Sequence, residues 1–128
     1  MSTLIRAEMS AKNKYYISKH RYYELKHYCL QYPEWMEEWR SITGYTDGLI
    51  FDPTSAAAIK RDLLTARMKQ IESIAFATDD SIGDYIFEAV TTEKTYTYFK
   101  TVKNIPCGKD FFYERYRRFF WLLDRVRD

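Results

Sequence analysis

A chain of 128 residues with 46% apolar and 30% charged side chains is long enough to bury a core without disulfide or metal staples, and too apolar for a disordered chain. A formal net charge of +2 and a pI near 8.4 exclude the extremes of acidity and basicity, so charge placement matters more than its sum. Only four glycines and three prolines occur, which favours helices joined by short loops.

The opening MSTLIRAEMSAKNK reads as a polar tail without an apolar run of signal-peptide length. No stretch approaches the roughly 20 apolar residues of a membrane span, so no membrane partner and a cytoplasmic location in a bacterial host are expected. Ser18 is placed to cap a helix over residues 19–31. In it Tyr22, Leu25, Cys29 and Leu30 recur at helical spacing. Pro33 interrupts that helix and suits the first turn of a second one carrying Trp35, Met36 and Trp39. The cluster GYTDG at 44–48 predicts a loop over residues 43–52.

A long central helix follows, capped by Asp52 with Pro53 behind it, or by Thr54. Its periodicity runs through Ile59, Leu63, Ala66 or Arg67, Gln70 or Ile71, and Ile74. Asp79 to Ser81 ends it and caps a short amphipathic helix with Ile82, Tyr85, Ile86, Ala89 and Val90 on one side. TYTYFKTV at 95–102 suits a strand by composition and a helix by context. A turn at 103–108 then leads into a final helix over residues 109–125. The expected fold is all-α, a helical bundle with a C-terminal helix-turn-helix: residues 1–48 form a tail and aromatic helical hairpin, and residues 49–128 the central helix and the helix-turn-helix.

On the final helix Phe112, Tyr116, Phe119, Phe120, Leu123 and Val126 share one side. Lys109, Asp110, Tyr113, Glu114 and Arg117 lie opposite, with Arg118 flanking. Between residues 100 and 118, Lys100, Lys103, Lys109, Arg115, Arg117 and Arg118 face only Asp110 and Glu114, a local balance of +4. A short helix, a tight turn and a longer basic helix are the parts of a DNA-reading unit whose second helix enters the major groove. Lys109, Tyr113 and Arg117 are then the candidate groove contacts. Lys100, Lys103, Arg115 and Arg118 are the candidate phosphate contacts, Arg115 bordering the core face. Asp110 and Glu114 oppose phosphate unless they pair with Arg117 and Arg118 one turn on or accept from a cytosine amino group. The bland alternative is a bundle helix with a solvated charged face.

CGKDFFYERYRRFFWLL at 107–123 resembles the final helix of small phage transcription regulators of the RinA and ArpU type, themselves similar to region 4 of bacterial sigma factors. Cys107 stands at that family's serine, Phe112 and Tyr113 match its aromatic step, and Arg115, Arg117 and Arg118 match its basic run. ELKHYCLQYPEW and DPTSAAAIKRDLL resemble earlier segments in the same order. The resemblance implies a phage or prophage regulator that binds double-stranded DNA at late packaging and lysis genes, with RNA polymerase as a possible second partner.

Other classes fit less well. His20 and His27 are two turns apart, too far to share a metal ion. Cys107, at a helix start beside Lys109, has a setting that can lower a thiol pKa, but no histidine or second cysteine accompanies it. No enzyme activity, cofactor or metal is therefore expected, and both cysteines are expected as free thiols. The aromatic segment with Tyr15, Tyr16, Tyr22, Tyr23, Tyr28, Tyr32, Trp35 and Trp39 suggests core packing, a homodimer face or a docking surface. The second functional reading is a phage assembly or adaptor protein such as a small terminase subunit, or a helical protein-interaction module.

Overall fold

The computed structural model describes residues 12–46 and 55–127. Every regular element among them is a helix: α1 (Lys19–Leu30), α2 (Tyr32–Thr46), α3 (Ala56–Thr78), α4 (Gly83–Thr92), α5 (Tyr96–Thr101) and α6 (Lys109–Val126). The expected all-α class is what the chain adopts, and TYTYFKTV is helical at its centre rather than a strand.

Each boundary has a local cause. Ser18 caps α1 by accepting from the Arg21 backbone N–H. Pro33 sits in the first turn of α2, where its missing N–H costs no helical bond. That helix persists to Thr46, so the first residues of the expected loop are helical. Asp52, Pro53 and Thr54 lie outside the described residues. The cap of α3 is Ser55, whose hydroxyl accepts from the Ala58 N–H. This corrects the expected Asp52 or Thr54 cap. Asp79 ends α3 and turns the chain, its Oδ1 accepting from the Ser81 and Ile82 N–H groups. Glu93 closes α4 in the left-handed region at φ 66°. Gly83 opens α4 where a Cβ would come within 2.6 Å of the Phe76 ring, so this glycine permits the close approach of α3 and α4.

The helices share one core. α2 runs antiparallel to α3, with Tyr32 donating to the Glu72 carboxylate at 2.6 Å and the Trp39 indole donating to Thr65 Oγ1 at 2.9 Å. α1 crosses α6, where the Tyr22 and Phe120 rings meet edge to face at 5.2 Å. Tyr32 and Phe87 join α2 to α4 at 4.9 Å. Phe112, Phe119, Phe120 and Leu123 of α6 are wholly buried, as the helical spacing requires. Val126 shares their side but is 60% exposed.

Of the readings open for the aromatic residues of the first half, core packing holds for Tyr15, Tyr22, Tyr28, Tyr32 and Trp35, which are all buried, while Tyr16 is 41% exposed. One expectation reverses. On α3 the buried side is Ala58, Leu64, Met68, Ile71, Ile74 and Ala75, whereas Ile59 and Leu63 are exposed. The inward face is rotated because α2 packs against Thr65, Met68 and Glu72.

Phe119 is fully enclosed. Phe119→Ala is expected to destabilise the fold by about 3–5 kcal/mol, as for other buried phenylalanines. Urea unfolding followed by circular dichroism reads this, and an unchanged midpoint would mean that Phe119 does not face the core.

Candidate nucleic-acid interface

α5 and α6 are tied together by rings and by backbone. Phe99 and Phe112, both without exposed surface, lie 5.6 Å apart, and Tyr96 packs on Phe112 at 5.7 Å. The connecting loop is pinned at both ends. The Ile105 N–H donates to the Phe99 carbonyl at 3.0 Å, and the Tyr96 hydroxyl donates to the Cys107 carbonyl at 2.7 Å. Asn104 takes φ 53° in this loop, a left-handed conformation that asparagine tolerates better than most residues. Ile105 is buried beneath it.

The seven candidate residues separate by position. Lys100, Lys103 and Lys109 are exposed. Arg117 is half-buried, makes no ion pair or hydrogen bond among the described residues, and has a shielded Nε without an acceptor. Lys103 approaches Glu88 at 3.9 Å, at the edge of an ion pair. Tyr113 sits on the flank of α6 that faces α5, where its hydroxyl accepts from the Tyr96 N–H at 3.3 Å. It thereby supplies α5 with the cap that Thr95 does not. Its role is first of all to join the two helices.

Arg115 does not join this group. Its guanidinium meets the Asp79 carboxylate at 3.0 Å and Glu114 at 3.1 Å, and lies over the Phe111 ring. It therefore fastens α6 to the end of α3, on the flank away from α5. Arg118 turns toward the N-terminal segment, donating to the Tyr15 hydroxyl at 3.5 Å, and Tyr15 packs on Trp121 at 5.6 Å. So Lys109, Tyr113 and Arg117 follow one stripe of α6 at spacings of four, Lys100 is exposed in the last turn of α5, and Arg115 and Arg118 lie across α6 from that stripe. The anions behave differently from each other: Glu114 is partly neutralised by Arg115 rather than by Arg118, and Asp110 stands exposed in the first turn of α6, where the helix dipole favours it.

Spacing along the sequence did not reveal several of these ties. Asp79 and Arg115 are far apart in the chain. So are Lys26, 5% exposed, and Glu93, whose pair at 2.9 Å locks α1 to the end of α4. Arg21 reaches Asp124 at 2.6 Å and the Arg127 carbonyl. Asn104, by contrast, was a visible turn residue.

Burial opposes ionisation of Asp79, but hydrogen bonds from the Ser81 hydroxyl, the Ser81 N–H and the Ile82 N–H, with the Arg115 charge, outweigh it. The net effect holds its carboxyl below the usual range. The helix start at Cys107 does not lower its thiol pKa: partial burial, then the Asp79 charge, push it up. Burial pushes the Cys29 thiol up much further. Both are free thiols.

Comparison with family models, with curated proteins and with solved structures finds no match for this chain. Among the described residues no helix is long and apolar enough to cross a membrane, and no group of three or more His, Cys, Asp or Glu side chains could hold a metal ion.

Two outcomes follow from this geometry. An acid with a depressed folded pKa stabilises the fold above its unfolded pKa, near 3.9, and that contribution is lost as pH falls through the folded value. Asp79→Asn should therefore melt below the parent at neutral pH, by on the order of 1 kcal/mol, and converge with it in strong acid. A gap that stays constant with pH would remove the carboxylate charge from the stability of this corner. In thiol titration with a disulfide reagent, Cys107 should react slowly and Cys29 only after unfolding. Prompt reaction of both would contradict the burial of α1.

Proposed function

We propose that the chain binds double-stranded DNA through α5, its following loop and α6, acting as a helix-turn-helix, and regulates transcription at the sites it occupies. The observation that carries this reading is that Lys100, Lys109 and Arg117 have no ion pair among the described residues, on a unit fastened to the core by the fully buried Phe99, Phe112, Phe119 and Phe120. Four other cations, Arg21, Lys26, Lys94 and Arg115, each hold a carboxylate within 3.2 Å. Solvated cations left over on one helical unit are what phosphate neutralisation uses.

In this reading the start of α6 enters the major groove. Lys109 stands at its first turn and Arg117 two turns on, where a guanidinium suits guanine or a phosphate. Lys100 and Lys103 lie on the α5 side and contact the backbone. Tyr113, with its oxygen accepting from Tyr96, still has its own proton to donate to a phosphate. Asp110 is the discriminating residue: it repels phosphate and accepts from a cytosine amino group. Arg115 is left out, since its charge is committed to Asp79. The phage setting, late-gene promoters and a polymerase contact extend the reading on the resemblance at residues 107–123 alone.

Arg117→Ala should weaken binding to selected genomic fragments by more than tenfold with an unchanged melting temperature. Lys109→Ala should lower the salt slope of binding by about one. Arg115→Ala should do the opposite of Arg117→Ala, lowering the melting temperature while leaving the affinity of the folded fraction alone. Fluorescence anisotropy across a salt series measures all three. Equal binding by the Arg117 variant and the parent would sink this face, and no binding by the parent at low salt would sink the function.

A further inference from the structure

We infer that the outer side of α3 is the contact face of a parallel homodimer. The large apolar residues expected in the core of this helix are on its outside: Ile59 is 59% exposed and Leu63 44%. They belong to a longer series. Ala56, Ile59, Leu63, Ala66 and Gln70 alternate spacings of three and four, the repeat that brings two helices together along a seam. Ala56, Ile59, Leu63 and Ala66 are all exposed, and Gln70 is half-exposed. α3 buries its other side against α2, α4 and α6, so a partner on the seam displaces none of the described helices.

Charge selects both the partner and its direction. Asp62 precedes the seam residue Leu63, and Arg67 follows the seam residue Ala66. In a parallel pair these positions face each other across the seam, five residues apart. Each Asp62 then meets the partner's Arg67, twice over by symmetry. An antiparallel pair instead sets Lys60 against the partner's Arg67, cation against cation, which cancels what Asp62 gains there from the partner's Lys69. Both side chains are free to respond. Asp62 is 73% exposed at its side chain and has Arg61 only at 3.8 Å, a surface separation worth little. Arg67 rests over the Trp35 ring at 5.6 Å, which anchors it beside the seam without neutralising it. Gln70, a polar residue on the seam, can bond to its own copy and fix the register, as single polar residues do in paired helices.

Two apolar side chains per copy make a modest seam, so the dimer should form and dissociate within an accessible concentration range. A second copy is the occupant because the surface is complementary to itself, which an isologous two-fold contact requires. The inference is independent of the DNA-binding reading, because its test needs no DNA.

Sedimentation equilibrium of the full chain, from low micromolar to millimolar concentration, tests it. The parent should show a monomer–dimer equilibrium, and Leu63→Glu, at an exposed site, should weaken association at least tenfold while leaving the circular dichroism melt unchanged. Asp62→Arg and Arg67→Asp should each be monomeric alone and associate when mixed, because mixing restores both attractive pairs. A parent that stays monomeric at every concentration overturns the dimer. A dimer untouched by Leu63→Glu overturns the face. Single charge variants that still self-associate, with no gain on mixing, overturn the parallel arrangement.

Discussion

The contact between Phe99 and Phe112 governs the C-terminal half. α5 has only six residues, far short of what an isolated helix needs to persist in water. It exists because Phe99 is inserted into the core against Phe112, because Tyr113 receives its first free N–H, and because the Tyr96 hydroxyl is bonded across the loop. Everything proposed for the outside of α6 depends on that inside. With the rings of α6 committed inward, the polar side has no choice but to face outward. The aromatic step of the chain is the fastening, and the cations around it are what the fastening presents.

A second layer of organisation is electrostatic and lies between elements that are distant in sequence. Lys26 with Glu93 joins α1 to the end of α4, Arg115 with Asp79 joins α6 to the end of α3, and Arg21 with Asp124 joins the start of α1 to the end of α6. Each involves a helix end, where unsatisfied carbonyls or amides already concentrate partial charge. Their net worth is small where the side chains are wet, but Lys26 is nearly enclosed, and Glu93 is the carboxylate that meets it at 2.9 Å. Glu93 accepts a left-handed backbone at the same position, so one residue both ends α4 and answers the buried ammonium.

The helices were legible where local chemistry determines them. Ser18, Pro33 and the start of α6 act as their residue types suggest, Asp79 ends α3 although Ile82 rather than a side chain of 79–81 caps α4, and the core side of α6 follows its period because five apolar positions agree. Legibility failed where a neighbour decides. On α3 both sides carry apolar residues, so the 3.6 period fitted Ile59 and Leu63 as readily as Leu64, Met68 and Ile71. Only the packing of α2 distinguishes them. The candidate site was legible by composition and not by role. Seven residues were grouped by charge and position, but Arg115 and Arg118 sit across α6 from Lys109 and Arg117, a division set by Asp79 and Tyr15. Cys107 shows the same limit. A place at a helix start can lower a thiol pKa, and here partial burial beside the Asp79 carboxylate gives the opposite sign.

The misplaced period and the unpaired cations have a common logic. A folded chain hides apolar surface and pairs charges wherever its own elements allow. This one does both with aromatic residues in its core and carboxylates at its helix ends. Two of the surfaces it leaves open are the apolar side chains along the back of α3 and the cations along the α5 side of α6. These surfaces differ in chemistry and lie on different helices, with the buried side of α3 turned toward α6. A partner on the apolar seam therefore leaves the basic side uncovered, and a ligand on the basic side leaves the seam uncovered. A parallel pairing of α3 would carry both copies of α6 with the same sense along the two-fold axis. Two basic faces would then be available to one extended ligand, with a separation set by the thickness of the paired bundle rather than by any flexible linker.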